Sequence, residues 1–261
     1  MGVQDQVLRT DIAYSTVDRI VVRGFDLAKE LIGKVNLGDM AFLEIMGRLP
    51  TPQESAVFNA LMVTLVEHGI TPSALAARLT YLGAPEAIQG AIAAGLLGLG
   101  TVFVGTIEGA ARMLQEALSE APPETELEAV AARVVADYHR RHAIIPGLGH
   151  PIHKPVDPRA PRLFEIAEQN GFAGRYVQLM QLIQREAERR YEKILPVNAT
   201  GAIGAVASEL GIPWQICRGL GVAARAIGLL GHLLEEMRQP MARAIWLRVD
   251  EEATRHMRPS A

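Results

Sequence analysis

The sequence predicts an all-α fold. Apolar residues recur at helical spacing along much of the chain; in one early segment Met40, Leu43 and Met46 fall on a single helix face. Strand character is confined to a short run at residues 20–22, which a turn follows. Residues 86–109 consist almost entirely of Ala, Gly, Leu and Ile, and such small residues allow helices to pack closely as a buried hairpin.

Start and stop signals place the individual helices. From Asp26 the apolar residues are spaced as in a helix, and Gly47 and Pro50 are expected to end that helix. The next helix covers residues 51–67, with Pro52 in its first turn and Glu54 placed for a capping box. Further helices are predicted at residues 126–141, 162–170 and 174–193, with Gly171 as the stop between the last two and a surface loop at residues 121–124.

The composition is that of a soluble globular protein. Of 261 residues, 49% are apolar and 21% charged, and the net charge of −3 indicates neither nucleic acid nor an anionic membrane as partner. The apolar run of residues 91–104 is too short and glycine-rich to span a membrane and predicts a buried helix. The single cysteine, Cys217, excludes an intrachain disulfide, and the first residues lack a signal core, so a cytoplasmic location is expected.

Residues 146–162, PGLGHPIHKPVDPRAPR, form what we call the central loop. Its four prolines, Pro151 among them, oppose a continuous helix. A glycine beside an imidazole lets a ligand approach the backbone, and the cations can meet carboxylate or phosphate. On composition alone, a surface loop with scattered polar groups fits equally well. The residues of interest are Gly147, Leu148, Gly149, His150, His153, Lys154 and Arg159.

The order of these residues resembles the GxGHxxxKxxDPR signature of the citrate synthase family. Here it reads Gly-Leu-Gly-His, then Lys154, then Asp157-Pro158-Arg159. The resemblance implies that His150 contacts the oxaloacetate-derived part of the substrate. It also implies that the loop holds coenzyme A, through Gly147, Leu148, Gly149 and Lys154.

Two stretches earlier in the chain extend the resemblance. Residues 66–79, VEHGITPSALAARL, are similar to the ADHExNxSxxAAR stretch of the family, and more so to the DHGPAxS form of the citryl-CoA lyase module of ATP-citrate lyase. On residue type alone His68 would be a helix C-terminal cap; the resemblance implies contact with the citryl or oxaloacetate portion. Phe103 stands where a synthase carries the histidine of GPLHGGANE, as in the lyase module, which indicates a cleaving enzyme.

The C-terminal part resembles the LxVNVDGxIGA and GxxGRxxGxxGHxLE strings of the lyase form. Asn198 matches the first string and Arg225 the second, while Arg243 lies in a segment similar to one that reaches a neighbouring subunit's active site in relatives. An arginine in an apolar helix needs an anion. Glu235 would be a structural partner, and a ligand carboxylate bound bidentately is the sharper interpretation. His232 is expected to be a packing or dimer-interface residue.

One position departs from the family. Thr200 stands where VNVDG carries its catalytic aspartate. A hydroxyl donates or accepts a hydrogen bond but cannot act as a general base near neutral pH.

The resemblance implies a citrate synthase-like architecture with a large helical domain of residues 1–105 and 223–261, a small helical domain of residues 106–222, and the site in the cleft between them. A homodimer or dimer of dimers is expected. The expected activity is that of a citryl-CoA lyase, which cleaves a C–C bond of a 3-hydroxy-3-carboxyacyl-CoA to an acyl-CoA and a 2-oxo acid. Because Thr200 replaces the aspartate, two alternatives stay open: a different acyl-CoA substrate or reaction, and a non-catalytic acyl-CoA-binding protein.

No bound cofactor is expected, with a coenzyme A thioester as substrate or product, and no metal, since the histidines show no ligand spacing. The candidate site residues fall into three groups. They are the catalytic candidates His68, His150 and Thr200; the substrate-binding candidates Arg225, Arg243, Arg159, Asn198 and Phe103; and the coenzyme A-binding candidates Gly147, Leu148, Gly149 and Lys154.

Overall fold

The computed structural model describes residues 8–150 and 153–258. Three short strands, β1 (Ala13–Ser15), β2 (Ile20–Val22) and β3 (Phe25–Asp26), form an antiparallel sheet in the order β1-β2-β3. Arg23 and Gly24 turn the chain between β2 and β3 with φ of 49° and 89°. The predicted short strand and turn are therefore confirmed.

Helices dominate the regular structure of the described residues and confirm the all-α prediction. They are a π-helical turn Leu27–Leu31, α1 (Leu37–Met46), α2 (Pro52–Val66), α3 (Pro72–Gly83), α4 (Ile88–Leu97), α5 (Gly105–Glu120), α6 (Leu127–Arg140), α7 (Arg159–Gln169), α8 (Arg175–Tyr191), α9 (Ala199–Glu209), α10 (Trp214–Arg238), α11 (Ala242–Thr254) and a 3₁₀ turn Arg255–Met257.

Most predicted helix ends are found where the capping residues lie. Gly47 ends α1 in the left-handed region with φ 73°, and Thr51 and Glu54 form the capping box of α2. The helical segment expected from Asp26 is instead divided in two. Asn36 caps α1 by accepting the Asp39 N–H at 2.8 Å, so the earlier residues form a separate π-helical turn.

Helix α9 lies in the middle of the core and packs against α5, α7 and α8. Its small residues allow this close packing: a Cβ on Gly204 would lie 2.9 Å from both the Ala110 side chain and the Ala111 backbone nitrogen of α5. The largest buried cluster contains residues on both sides of residue 105. The predicted two-domain division stays a prediction, and its ends at residues 1–7 and 259–261 lie outside the described residues.

The glycine-rich helices differ from the predicted buried hairpin. Helix α4 ends at Leu97, which is 86% exposed, because the chain turns at residues 98–104. α4 packs against α3 and α10, whereas α5 packs against α9 and α10. Among the described residues, α10 is the one helix long and apolar enough to cross a membrane by length and composition, with 44% of its apolar window buried. A core helix passes the same test, so this is weak evidence.

Candidate active site

The central loop lies along the segment that precedes α9. Leu148 and Val197 form an isolated antiparallel bridge. The Gly149 N–H donates to the carbonyl before Val197 at 2.8 Å, and the Asn198 N–H donates to the Gly147 carbonyl at 2.9 Å. These backbone bonds place His150 beside the start of α9. The loop ends earlier than expected, since α7 already begins at Arg159, and Pro151 lies outside the described residues.

Gly147 lies in close contact with the backbone of α9. Its φ is 87°, and a Cβ there would lie 2.5 Å from the Cα of Gly201 in α9. A Cβ on Gly201 would lie 2.5 Å from the Gly147 carbonyl oxygen. This glycine therefore serves contact with α9, whereas a Cβ on Gly149 (φ 75°) would meet only Leu195, at 3.8 Å.

Asp157 fixes the far end of the loop. Its buried carboxylate accepts the Ala199 N–H at the start of α9 at 2.9 Å and two bonds from the Arg159 side chain at 2.9 and 2.8 Å. Burial raises the pKa of Asp157, but the hydrogen bonds from Arg159 and Ala199 outweigh burial and lower that pKa to about 2. Arg159 is thus already paired, which weakens it as a ligand for a substrate carboxylate.

Three histidines converge here. The ring centroids of His150 and His153 are 4.4 Å apart, and that of His68 lies 6.1 and 6.0 Å from them. His68 comes just after α2 and faces this cluster, so its ring is not a helix cap. Burial lowers the pKa of His150, with a further contribution from His153, which favours a neutral imidazole at neutral pH. The sequence interpretation gave His153 no role in the site.

The histidines show no ligand spacing in the sequence, yet three of them lie close together in the structure. One nitrogen from each ring lies within 4.8 Å of the others, a grouping that can hold a metal ion. However, His150 Nδ1 accepts the His153 backbone N–H at 2.9 Å. A metal on Nδ1 would displace that bond, and a metal on Nε2 would require a proton on Nδ1. The hydrogen bonding therefore favours a polar ligand, and the expected absence of a metal stays a prediction.

Thr200 belongs to the cap of α9. Its hydroxyl lies 2.7 Å from Asn198 Oδ1, which also accepts the Gly201 N–H at 3.1 Å. Because that amide oxygen can only accept, Thr200 is the donor. Asn198 Nδ2 in turn donates to the Gly149 carbonyl at 2.6 Å, one residue before His150. Thr200 thus acts on the site through Asn198 and does not supply a base.

Arg225 on α10 holds residues 65–71, which are the end of α2 and the loop after it and which we call the His68 loop. Its Nε donates to the Leu65 carbonyl at 3.3 Å and its Nη1 to the Thr71 hydroxyl at 3.4 Å. Burial lowers the pKa of Arg225, and the charge of Glu67 opposes this shift. The ion pairs found among the described residues do not include Arg225, so its charge is available to a ligand carboxylate.

The suggested structural partner of Arg225 is wrong. Glu235 pairs with Arg78, together with Glu236. Arg78 is fully buried on α3. The sequence interpretation gave it no role, although it is the arginine of the AAR string within residues 66–79. Three other candidates are exposed: Phe103 in the turn before α5, Lys154, and Arg243 near the start of α11. Their places in the site stay predictions.

A cavity of about 440 Å³ lies against the central loop at Leu148. Its apolar walls carry cationic or titratable groups at His139, His142 and Lys193. The His139 ring packs edge-on against Tyr191, with centroids 5.5 Å apart. The full lining is His139, His142, Ala143, Ile144, Ile145, Leu148, Tyr191, Lys193 and Leu195.

Comparison with solved structures supports a lyase-type enzyme. The structure resembles citryl-CoA lyase from Hydrogenobacter thermophilus with a TM-score of 0.81 and 32% identity, covering 90% of this chain and 88% of that one. It also resembles ATP citrate lyase from Methanothrix soehngenii, solved in complex with citrate and coenzyme A, with a TM-score of 0.74 and 21% identity over 89% of this chain and 39% of that one. At 21% identity, the second likeness shows the fold alone.

Relatives in sequence include citrate synthases and ATP-citrate synthases. Citrate synthase 2 of Bacillus subtilis (strain 168) is 27% identical over 191 residues, which is 73% of this chain and 49% of the relative. The probable ATP-citrate synthase of Dictyostelium discoideum is 23% identical over 85% of this chain and 37% of the relative. The chain spans half or less of these two proteins. The family model described as citrate synthase, C-terminal domain, matches residues 7–248. The chain therefore belongs to the citrate synthase family.

Proposed function

We propose that the protein is a citryl-CoA lyase-like enzyme, which cleaves a C–C bond of a 3-hydroxy-3-carboxyacyl-CoA to an acyl-CoA and a 2-oxo acid. The observation that carries this proposal is the meeting of His68 and His150 from two distant stretches, together with the bonds by which Arg225 holds the loop that carries His68. Similarity to the Hydrogenobacter citryl-CoA lyase supports the lyase direction.

The reaction breaks the bond between the hydroxyl-bearing carbon and the α-carbon of the thioester. The hydroxyl loses its proton and becomes the carbonyl of the 2-oxo acid. The electron pair of the broken bond moves into the thioester as an enolate, which then takes up a proton to give the acyl-CoA. A site for this reaction needs cations for the carboxylates, donors to the oxygen that becomes a carbonyl, and a proton acceptor.

Three residues of the site are assigned to these roles. Because His150 Nδ1 accepts the His153 N–H, the proton of a neutral His150 ring lies on Nε2. Nε2 also lies 3.5 Å from Arg159 Nη2, which can only donate, so Nε2–H donates to the substrate hydroxyl or the forming carbonyl once that guanidinium turns away. Arg225 binds a substrate carboxylate with two parallel N–H bonds. We assign proton acceptance to the exposed His68, since Thr200 is a donor within the α9 cap.

Coenzyme A is proposed to lie along Leu148 in the adjoining cavity. The apolar walls at Ile145 and Leu195 suit the pantetheine arm, and Lys193 and His142 provide charge for phosphate. Lys154 is exposed on the same loop and is the second phosphate candidate. Binding of coenzyme A should therefore weaken with added salt and in Lys193→Ala, as measured by calorimetry, with unchanged affinity removing that lysine from the site.

The decisive experiment is turnover of citryl-CoA by the purified protein, followed by acetyl-CoA release. Wild type and Thr200→Asp are assayed with citryl-CoA and with a panel of other 3-hydroxyacyl-CoA thioesters. Wild-type cleavage of citryl-CoA at ordinary enzyme rates supports the proposal. Cleavage of another thioester instead supports the alternative of a changed substrate, which the loss of the aspartate motivates. Binding without any turnover identifies a non-catalytic acyl-CoA-binding protein.

Arg225 can be tested separately. Arg225→Lys keeps the charge but loses the two-pronged donor, so 2-oxo acid binding should weaken by about 1.5–3 kcal/mol. Arg218→Lys is the matched control on the same helix, since Arg218 pairs with Glu108. Calorimetry measures affinity and thermal denaturation measures stability. Normal binding together with a much lower melting temperature would show that Arg225 serves the fold only.

The assembly is proposed to be a homodimer or a dimer of dimers. Helices α10 and α11 expose large apolar side chains, which is unusual for a surface that stays in water. Light scattering with size-exclusion chromatography would contradict this by showing a monomer. The side chains concerned are Ile227, Leu230, Leu234, Met237, Trp246, Leu247 and Val249.

A further inference from the structure

We infer that Arg78, His232 and Glu67 form a hydrogen-bond network that runs from the buried core to the exposed His68 loop and positions that loop. We call it the Arg78 network. It rests on the proposed function only in that His68 contacts substrate. These three are positioning residues, since they act through His68.

The network runs from the core to the loop. Arg78 is fully buried, and its Nη2 lies 3.0 Å from Nδ1 of His232 on α10. His232 Nε2 lies 3.1 Å from Glu67 Oε1. The same Oε1 accepts the backbone N–H groups of His68 at 2.8 Å and Gly69 at 2.7 Å.

The guanidinium of Arg78 determines which nitrogen of His232 carries the proton. A guanidinium can only donate, so His232 Nδ1 must accept from Arg78. A neutral His232 ring then carries its proton on Nε2 and donates it to Glu67. One tautomer therefore connects a buried cation to a carboxylate and, through it, to two amides of the loop.

Two further carboxylates pair with Arg78. Arg78 Nη1 donates to Glu236 at 2.9 Å, and Glu235 pairs with Nη2 from a more exposed position. Glu236 also accepts the N–H groups of Met241 and Ala242 at 2.9 Å each and so caps the start of α11. Burial raises the pKa of Glu67, but the hydrogen bonds from His68, His232 and Gly69 outweigh burial, so its pKa is lowered and it stays ionised.

The backbone of the His68 loop matches this support. Gly69 has φ 77°, which allows consecutive N–H groups to converge on one carboxylate oxygen. Gly228 of α10 lets the loop come close, since a Cβ there would lie 2.1 Å from the Val66 carbonyl oxygen and 3.1 Å from Glu67 Oε2. The conformation that turns His68 toward His150 thus depends on the Glu67 carboxylate.

The test is Glu67→Gln. His232 Nε2 lies 3.1 Å from both oxygens of Glu67. A glutamine oxygen at the Oε1 place can still accept the two loop amides, but its NH₂ then replaces Oε2 and meets the Nε2–H of His232, and two donors cannot bond. We expect changed amide resonances for His68 and Gly69, loss of the single His232 tautomer in ¹⁵N NMR, and a KM for citryl-CoA raised about tenfold.

The matched control is Glu235→Gln. It removes an ion pair to the same Arg78 from a side chain that is 59% exposed and leaves the network bonds in place. We expect the loop amides, the His232 tautomer and the KM to stay as in wild type. If Glu67→Gln folds poorly, a second pair of variants provides the test. His232→Gln keeps a side-chain donor to Glu67 and should retain more affinity for citryl-CoA than His232→Leu.

The outcomes separate this inference from the proposed function. Unchanged His68 and Gly69 amides and an unchanged His232 tautomer in Glu67→Gln would overturn the network, as would equal changes in Glu235→Gln. If wild type does not cleave citryl-CoA, the proposed function fails, and the NMR comparison alone still decides the network.

Discussion

Two loops bring histidines to the same place by different means. The central loop is held by backbone hydrogen bonds to the segment before α9 and by the buried Asp157 carboxylate. The His68 loop is held by side chains of α3 and α10, in particular Arg225 and His232. An imidazole can thus be oriented by close backbone contact, which requires glycine, or by side-chain charges farther away, which require matched protonation.

The largest expected effect concerns the backbone contact. Gly147→Ala combines a left-handed φ with a Cβ 2.5 Å from Gly201 Cα and should destabilise the protein by about 3 kcal/mol. Gly149→Ala has a similar φ but open space, and should cost only about 1 kcal/mol. Denaturant unfolding measures both. Equal costs would mean that the Gly147–Gly201 contact does not hold the loop.

The second prediction concerns the buried carboxylate. The folded-state pKa of Asp157, about 2, is below its ordinary value of 3.8, so Asp157 contributes about 2 kcal/mol of stability. This contribution is fully present above about pH 4 and is lost as pH falls through about 2, because the folded pKa is depressed. Asp157→Asn should therefore be less stable than wild type at pH 7, and the gap should narrow between pH 4 and 2.

Unfolding free energies of both proteins across that range measure the gap. Glu54, whose pKa is also lowered to about 2, is common to both proteins and cancels in the difference. A constant gap across the range would contradict the assigned pairing of Asp157.

A smaller effect is expected at the end of the His68 loop. Thr71 accepts the Ala74 N–H at 3.3 Å as the cap of α3 and meets Arg225 at 3.4 Å. Thr71→Val removes both bonds and should cost about 1 kcal/mol of stability. Thr71→Ser retains the hydroxyl and serves as the control. Equal stability of the two variants would show that side-chain bonding at this end of the loop is unimportant.

The smallest effect is a change of pKa without a change of fold. The pKa of His150 lies below its usual range because of burial and the neighbouring His153. His153→Asn should raise the pKa of His150, as followed by NMR titration of the imidazole signals. A pKa that does not move would show that the two rings are not close in solution.

The predictability of the two loops differs for a physical reason. The central loop was found from sequence because Gly147, His150 and Asp157 lie within twelve residues, and turn chemistry is local. The Arg78 network joins residues more than 150 positions apart, and only the packing of α3 against α10 brings them together. The AAR string marks Arg78 locally, but it does not show which residues Arg78 contacts.

The roles of Thr200 and His153 also could not be predicted from sequence, because they depend on contacts that form only in the folded chain. Sequence gave no sign that Thr200 would donate to Asn198, because the expectation compared it with an aspartate and not with a helix cap. The role of His153 depends on how the central loop turns back toward His68, which spacing alone does not fix.

Glu236 links Arg78 on α3 to the start of α11, a helix that also packs against α3. One oxygen pairs with Arg78, and the other caps the first turn of α11. Arg243 follows the capped Ala242 directly. A displacement of this C-terminal helix would thus pull on the same carboxylate that anchors Arg78, and the mechanical strain would reach the turn that carries His68.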